Sequence, residues 1–371
     1  MSECLYVPHA CFAGKAAAFA ALHAGVATRG FVSNIDARVE TLDTGGLSLP
    51  VTVNGDVADN AWVCSPLTTY SRYALEETRR VAPHMLAAPL GGVIGLADRW
   101  LRRAELDNAV SLNNWLVSTN LYPAADGIDF AALAAASEAR WPRHAVWFRS
   151  LNPVQHADWL RELQAAGFDL IPTRQVYLFR NMKQSGVRHQ NLRRDLHLLR
   201  TTPLTPVGHD DFSDADFAQS ETLYAQLYLE KYSRLNPSYT AAFLKAWHRA
   251  GLLEFFGFRD GSEELRAVVG MFGQGMLLSA PIVGYDTSWP SAAGLYRLLM
   301  AHVLKTTLER EAVLNLSAGA AHFKRLRGGE PAIEYSAVLS RHLPAATRRT
   351  LRGLQMLTTR LGVPIMRRFQ L

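Results

Sequence analysis

The chain runs twice through one order of elements, and that repetition constrains its fold more than any other feature. In the first pass, apolar segments at 37–42 and 47–53 flank Gly45-Gly46, the pattern of a β-hairpin. A helix over 69–81 and a further helical stretch lead to a strand at 114–119. A helix at 130–140, a strand at 144–149, a helix at 154–166 stopped by Gly167, and a strand at 175–179 complete the pass. The second pass opens with helices at 214–232 and 239–250, the latter stopped by Gly251. Strands at 253–259, 265–272 and 276–284 follow, the last two joined through Gly273-Gln274-Gly275. A long helix at 291–310, a strand at 313–316, a short helix carrying Phe323 and Lys324, and a strand at 333–339 end it.

Alternating short strands and amphipathic helices predict an α/β (α+β) chain of two tandem domains, each a mixed twisted sheet flanked by helices. The 371 residues suit that number. The segment 181–205 has no apolar period and reads as a linker. The expected division is therefore a first domain at 1–185, a basic linker at 186–204, a second domain at 205–345 and a tail at 346–371.

Hydrophobic residues make up 49% and charged residues 19%, enough apolar material for two cores. No stretch approaches the ~20 apolar residues of a membrane span. The Ala-rich segment 12–26 is interrupted by Lys15 and His23 and lacks a basic leader, so the expected location is cytoplasmic. Cys4, Cys11 and Cys64 make neither a disulfide framework nor a zinc motif and read as buried thiols. The acidic run at 209–216 reads as a loop and helix cap, so no metal is expected. A nucleophile elbow, a Walker A loop, a dinucleotide glycine fingerprint and a His-Glu-x-x-His motif are all missing.

The net charge of +6 is unevenly placed, for residues 341–371 hold seven arginines and no acid. On a helix, Leu351, Leu354, Leu357 and Leu361 share one face of that tail and Arg348, Arg349, Arg352 and Arg360 the other. Lys183, Arg188, Arg193, Arg194 and Arg200 form a second basic stretch, against Asp195 alone. Fields of this sign attract CoA, tRNA or an anionic membrane, the last through peripheral contact by the tail. Docking on its own domain is the plainer expectation for the tail.

The segment Leu316-Ser-Ala-Gly-Ala-Ala-His-Phe-Lys-Arg-Leu-Arg-Gly-Gly-Glu330 resembles the strand-to-helix passage of FemAB-like and BioF2-like GNAT acyltransferases. Leu229-Glu-Lys-Tyr-Ser-Arg-Leu-Asn-Pro-Ser-Tyr239 is similar to the helix and loop that close the cleft in that family. The resemblance implies two parallel strands that splay apart and hold a pantetheine arm, followed by a helix whose N-terminus faces a pyrophosphate. Here the stretch Asp286-Thr-Ser-Trp-Pro-Ser-Ala-Ala-Gly294 departs from the usual glycine-rich loop. Ser288, Ser291 and Gly294 are the cofactor-binding candidates that remain.

The resemblance implies amide formation from an activated acyl donor and a small amine or amino acid acceptor. The first donor expected is acyl-CoA or an acyl carrier protein thioester, as a co-substrate rather than a resident cofactor. The alternatives are aminoacyl-tRNA as donor, and a non-catalytic metabolite-binding protein. Tyr285, at the end of a splayed strand, is a candidate acid for the leaving group, and Glu230 a candidate base. Asn315 is a candidate catalytic residue because an amide in an apolar strand demands a partner. Tyr232 and Ser317 are candidate substrate contacts, and Lys324, Arg325 and Arg327 candidate anion ligands. Asn113, Asn114, Ser118, Thr119, Asn120, Arg149, Ser150 and Asn152 occupy the equivalent place in the first pass, as a second site or a decayed one.

Overall fold

The computed structural model describes residues 9–44, 47–55, 57, 60–81, 84–183 and 189–369. Cys4, the Gly45-Gly46 turn and Arg188 lie outside them. The first-pass strands are β1 (Ala37–Thr44), β2 (Leu47–Asn54), β3 (Ala109–Leu112), β4 (Ala145–Leu151) and β5 (Asp169–Phe179). The second-pass strands are β6 (Thr205–Val207), β7 (Glu254–Arg259), β8 (Leu265–Gln274), β9 (Leu277–Tyr285), β10 (Val313–Asn315) and β11 (Glu330–Leu339). Together they form one sheet in the order β1-β2-β3-β4-β11-β5-β10-β9-β8-β7-β6.

Each pass leads from antiparallel strands into one parallel pair, β3 with β4 and β9 with β10. That motif, flanked by helices and present twice, is a tandem GNAT-like fold. The passes interlock, because β11 inserts between β4 and β5, antiparallel to both. The last strand of the chain thereby completes the first half of the sheet. Pairing of this range is invisible to local sequence patterns, which report each strand but not its neighbour.

The helix His9–His23 packs against the first half through Phe12 and Phe19, both fully buried. Each such aromatic removes apolar area worth roughly 1.5–3 kcal/mol. Trp115, Trp247 and Phe272 meet Phe19 or one another at ring distances of 5.3–5.8 Å, so one core spans both passes. A second cluster lies between β9 and the helix Leu295–Glu309, built on Leu298, Leu299 and Val303.

Three expectations need correction. The strand expected at 114–119 is β3, five residues upstream at its start. Trp115, Leu116 and Val117 are apolar because they fill the core as an irregular turn, in which Asn113 and Leu116 have φ of 51° and 59°. The supposed linker contains the helix Gln190–Thr201. Leu192, Leu196 and Leu199 recur at helical spacing and pack on the second core cluster, and buried Asp195 binds Arg297 on the helix Leu295–Glu309 and Arg327 just after the short helix Ala321–Arg325. Cys11 is exposed, while Cys64 is buried as expected.

The tail is helical over Ala345–Leu357 and Val363–Phe369, with a wide π-helical turn at Thr358–Gly362 between them. Leu351 and Leu354 dock on the chain's own core, whereas Leu361 is 53% exposed and leaves the expected apolar face. Gly353 permits the docking, for a Cβ there would stand 2.2 Å from the Trp100 ring. Among the described residues no helix is long and apolar enough to cross a membrane.

Candidate active site

The parallel strands β9 and β10 pair only where Val313–Asn315 lies beside 277–279. Beyond that point β9 continues to Tyr285, but the other chain bends away at Ser317, whose φ is 58°. The Leu316 amide donates to the Tyr177 carbonyl and the Tyr177 amide to the Ser317 carbonyl, so the departing chain stays with β5. Pro281, on the opposite side, has no N–H with which to close the gap. A wedge opens between 280–285 and 316–320, occupied by a cavity of about 180 Å³.

Aromatic rings line this cavity. Tyr224, Tyr228 and Tyr232 stand one turn apart on the helical segments Asp214–Tyr224 and Ala225–Tyr232. The second segment is a wide π-helical turn, and the rings of Tyr224 and Tyr228 stack at 4.8 Å. Gly284 on β9 allows this helix to approach, since a Cβ would lie 2.6 Å from the Tyr224 amide. Tyr285 and Tyr296 face each other at 6.2 Å. Burial, reinforced by the surrounding phenols, raises the pKa of Tyr228 and Tyr296 well above the ordinary value. Both therefore keep their protons at neutral pH, and neither hydroxyl has a hydrogen-bond partner among the described residues.

Lys324 lies at the edge of the wedge and is only 4% exposed. Its ammonium donates to the carbonyls of Leu316 (2.7 Å), Ser317 (3.2 Å) and Ala318 (2.8 Å). Burial, and more weakly the charge of Arg174, push its pKa down to about 7. The three carbonyls consume its donors. Lys324 thus holds the left-handed turn through Ser317, Gly319 and Ala320 in place and leaves its charge, not a free donor, at the wedge.

The other expected residues divide. Tyr285, Tyr232 and Ser317 line the cavity, and Tyr285 accepts from Lys231 at 3.4 Å. Asn315 is buried and faces the other half: it donates to Gln155 at 3.2 Å and accepts from the Ser317 amide at 2.9 Å. It is a tie between the passes rather than a group open to substrate. Arg327 is also spent, with its guanidinium on Asp195, on the Phe323 carbonyl and over the Phe323 ring. Glu230 and Arg325 are exposed and outside the cavity wall.

The loop after β9 is a tight turn in which Asp286 accepts from the Ser288 amide and hydroxyl at 2.9 and 2.6 Å. Its other oxygen takes Arg266 at 3.0 Å, which removes the acid that the sequence placed against a phosphate. Ser288 and Ser291 are exposed, and Gly294, with φ of 65°, caps the helix Leu295–Glu309 without a side-chain acceptor. None of these three residues lines the cavity, although Tyr296 in the first turn of that helix does.

The equivalent place in the first half is largely filled. Trp115, Leu116 and Tyr122 are buried there. Asn114 binds Thr52 and the Val63 carbonyl at 2.8 and 3.0 Å, and Arg149 binds that carbonyl at 2.7 Å. The Tyr122 hydroxyl is given to the Arg149 carbonyl. A cavity of about 60 Å³ remains beside Arg149 and Ser150. Among the described residues no cluster of His, Cys, Asp and Glu could hold a metal ion.

The residues missed in the sequence are Tyr224, Tyr228 and Tyr296. A signal existed for the first two, since Tyr224, Tyr228 and Tyr232 recur every four residues on one helix face.

No family model and no curated protein matches the chain. Solved structures resemble it at low identity. The C-terminal domain of a putative lysylphosphatidylglycerol synthetase from Agrobacterium fabrum shares 12% identity at a TM-score of 0.48, over 67% of this chain and 82% of that one. A structure of FemX shares 10% at 0.45, over 62% and 80%. A tandem GNAT protein from the clavulanic acid biosynthesis pathway shares 12% at 0.36, over 64% and 76%.

Proposed function

We propose that this chain is an acyltransferase that forms an amide in the wedge between β9 and β10. The observation that carries the reading is the cavity itself: a gap between parallel strands, lined by protonated phenols and fixed at one edge by Lys324. An activated acyl group in the wedge places its carbonyl beside Tyr228 and Tyr296. The acceptor nitrogen attacks the carbonyl carbon, the bond to the leaving sulfur or ribose oxygen breaks, and a tyrosine hydroxyl gives that atom its proton. The excess proton on the nitrogen returns to the phenolate or to water, which restores the site. The buried Lys324 charge favours the developing oxyanion through the field of its turn.

Acyl-CoA or a carrier-protein thioester is the first donor, with Ser288, Ser291 and the helix start at Gly294 on the side of the pyrophosphate. Charged tRNA is the second. It is favoured by the exposed Arg193, Arg194 and Arg200 on the helix that Asp195 clamps beside the cavity. A small amine or amino acid is the acceptor. The test is to incubate the chain with acyl-CoA or charged tRNA and a mixture of amines, and to read amide product by mass and donor consumption. Product formed by the wild type and strongly reduced in Tyr228→Phe/Tyr296→Phe supports the reading. Tight binding of a metabolite with no donor consumed leaves the cavity as a binding site alone.

A further inference from the structure

A second cavity, also about 180 Å³, lies between β5, the helix His84–Arg103 and the C-terminal helices. Its wall is mostly apolar, with Ile94, Ala97, Leu354, Leu357, Leu361 and Ile365 beside a few threonine hydroxyls. At its inner end it reaches Glu77 and Arg174. The same two residues line the wedge cavity and the small cavity beside Arg149. Glu77 and Arg174 therefore form a polar wall common to the three spaces. Arg174 is fixed there by Glu334 at 2.7 Å and lies over the Trp62 ring at 4.7 Å.

The outer mouth has a matching character. Leu361 of its lining is 53% exposed, and Leu96, Trp100 and Met356 are exposed on the same helices. The exposed Arg352, Arg360 and Arg367 lie on the same C-terminal helices. The apolar cavity shares the Glu77 and Arg174 wall with the wedge, while the exposed helices around it offer apolar and cationic groups. An alkyl chain satisfies that arrangement, because it needs no polar partner along its length and gains from each methylene removed from water. A small polar metabolite does not.

We propose that this apolar cavity takes the long hydrocarbon chain of the substrate that reacts in the wedge, with the chain passing the Glu77 and Arg174 wall that the two cavities share. The inference rests on the acyltransfer reading and adds a substrate class to it: a long-chain acyl donor or a lipid amine. The two sources share the chain and differ in which end carries the leaving group.

The test uses the full chain and cis-parinaric acid, whose fluorescence rises in an apolar site. The wild type should bind it, palmitoyl-CoA should displace it, and acetyl-CoA should not. Displacement by an amino-headed lysophospholipid, but not by palmitoyl-CoA, assigns the chain to the acceptor. Ala97→Trp, which fills the cavity, should weaken binding by on the order of tenfold or more without lowering the melting temperature. Leu361→Asp at the exposed mouth provides a second variant should the first not fold. Absence of parinaric binding to the wild type, or unchanged affinity in the variants, overturns the proposal. Acetyl-CoA or charged tRNA binding measured separately by calorimetry distinguishes the failures: binding there with none by parinaric acid sinks the chain site and leaves the transferase reading standing.

Discussion

The Lys324 ammonium donates to the Leu316 carbonyl at 2.7 Å and so ties the short helix after β10 to the strand it follows. Two more carbonyls complete the cage; that of Ser317 also accepts from the Tyr177 amide, whereas those of Leu316 and Ala318 rely on the ammonium. Lys324→Met keeps the length of the side chain but strands those groups. It should cost about 2–4 kcal/mol, read from urea unfolding midpoints. The pH dependence has a definite sign. The folded-state pKa of about 7 lies below the ordinary 10.5, so the folded state binds the proton less tightly than the unfolded one. Stability conferred by the wild type relative to Lys324→Met should rise as pH increases from about 7 to 10.5.

His23 presents the same linkage in the acid range. Its ring is 5% exposed, and both nitrogens lack a hydrogen-bond partner among the described residues. Burial lowers its pKa to about 4 from 6.5. Stability is then complete above pH 6.5 and is lost as pH falls towards 4, because the unfolded chain takes up the proton first. His23→Phe, placed between Phe19 and Phe31, should flatten this acid limb by one proton and raise the melting temperature at pH 5. An unchanged limb would show that the histidine is already free to charge.

Asp195 receives Arg297 and Arg327 and is fully buried, with Arg327 at 5% exposure. Asp195→Asn leaves the Arg327 cation without its countercharge and should destabilise the fold by about 3–5 kcal/mol. Limited proteolysis should then cut more readily in the helix Gln190–Thr201, which keeps only its leucine contacts through Leu192, Leu196 and Leu199.

Tyr228→Phe and Tyr296→Phe each remove one protonated phenol from the wedge without changing its shape. Transfer should fall by roughly 10²–10⁴ in the double variant, with donor binding close to that of the wild type. Tyr285→Phe, at the rim beside Lys231, should cost about tenfold or less.

Much of the architecture was legible. Strands 37–42, 47–53 and 265–272 and the helix at 130–140 agree with the structure to within two residues at their ends, because hairpin glycines and helix caps are local signals. The position of β11 was not legible, since Val338 pairs with Trp147 and Asp169, which stand far back in the first pass. Within the site, Tyr285 and Lys324 could be found from the order of elements. Arg327 and Asn315 could not be excluded as ligands, because their partners Asp195 and Gln155 are 132 and 160 residues away. The Trp115-Leu116-Val117 run misled for a related reason: burial makes a plug as apolar as a strand.

Hydrogen exchange measured residue by residue, with and without donor, tests the central claim most directly. Acyl-CoA and charged tRNA are each added to the full chain. The account predicts slowed exchange confined to the wedge, in 280–285 and 316–320, together with the helix around Tyr228. Protection centred instead on the first-half turn at 113–122, or no protection with any donor, would contradict it.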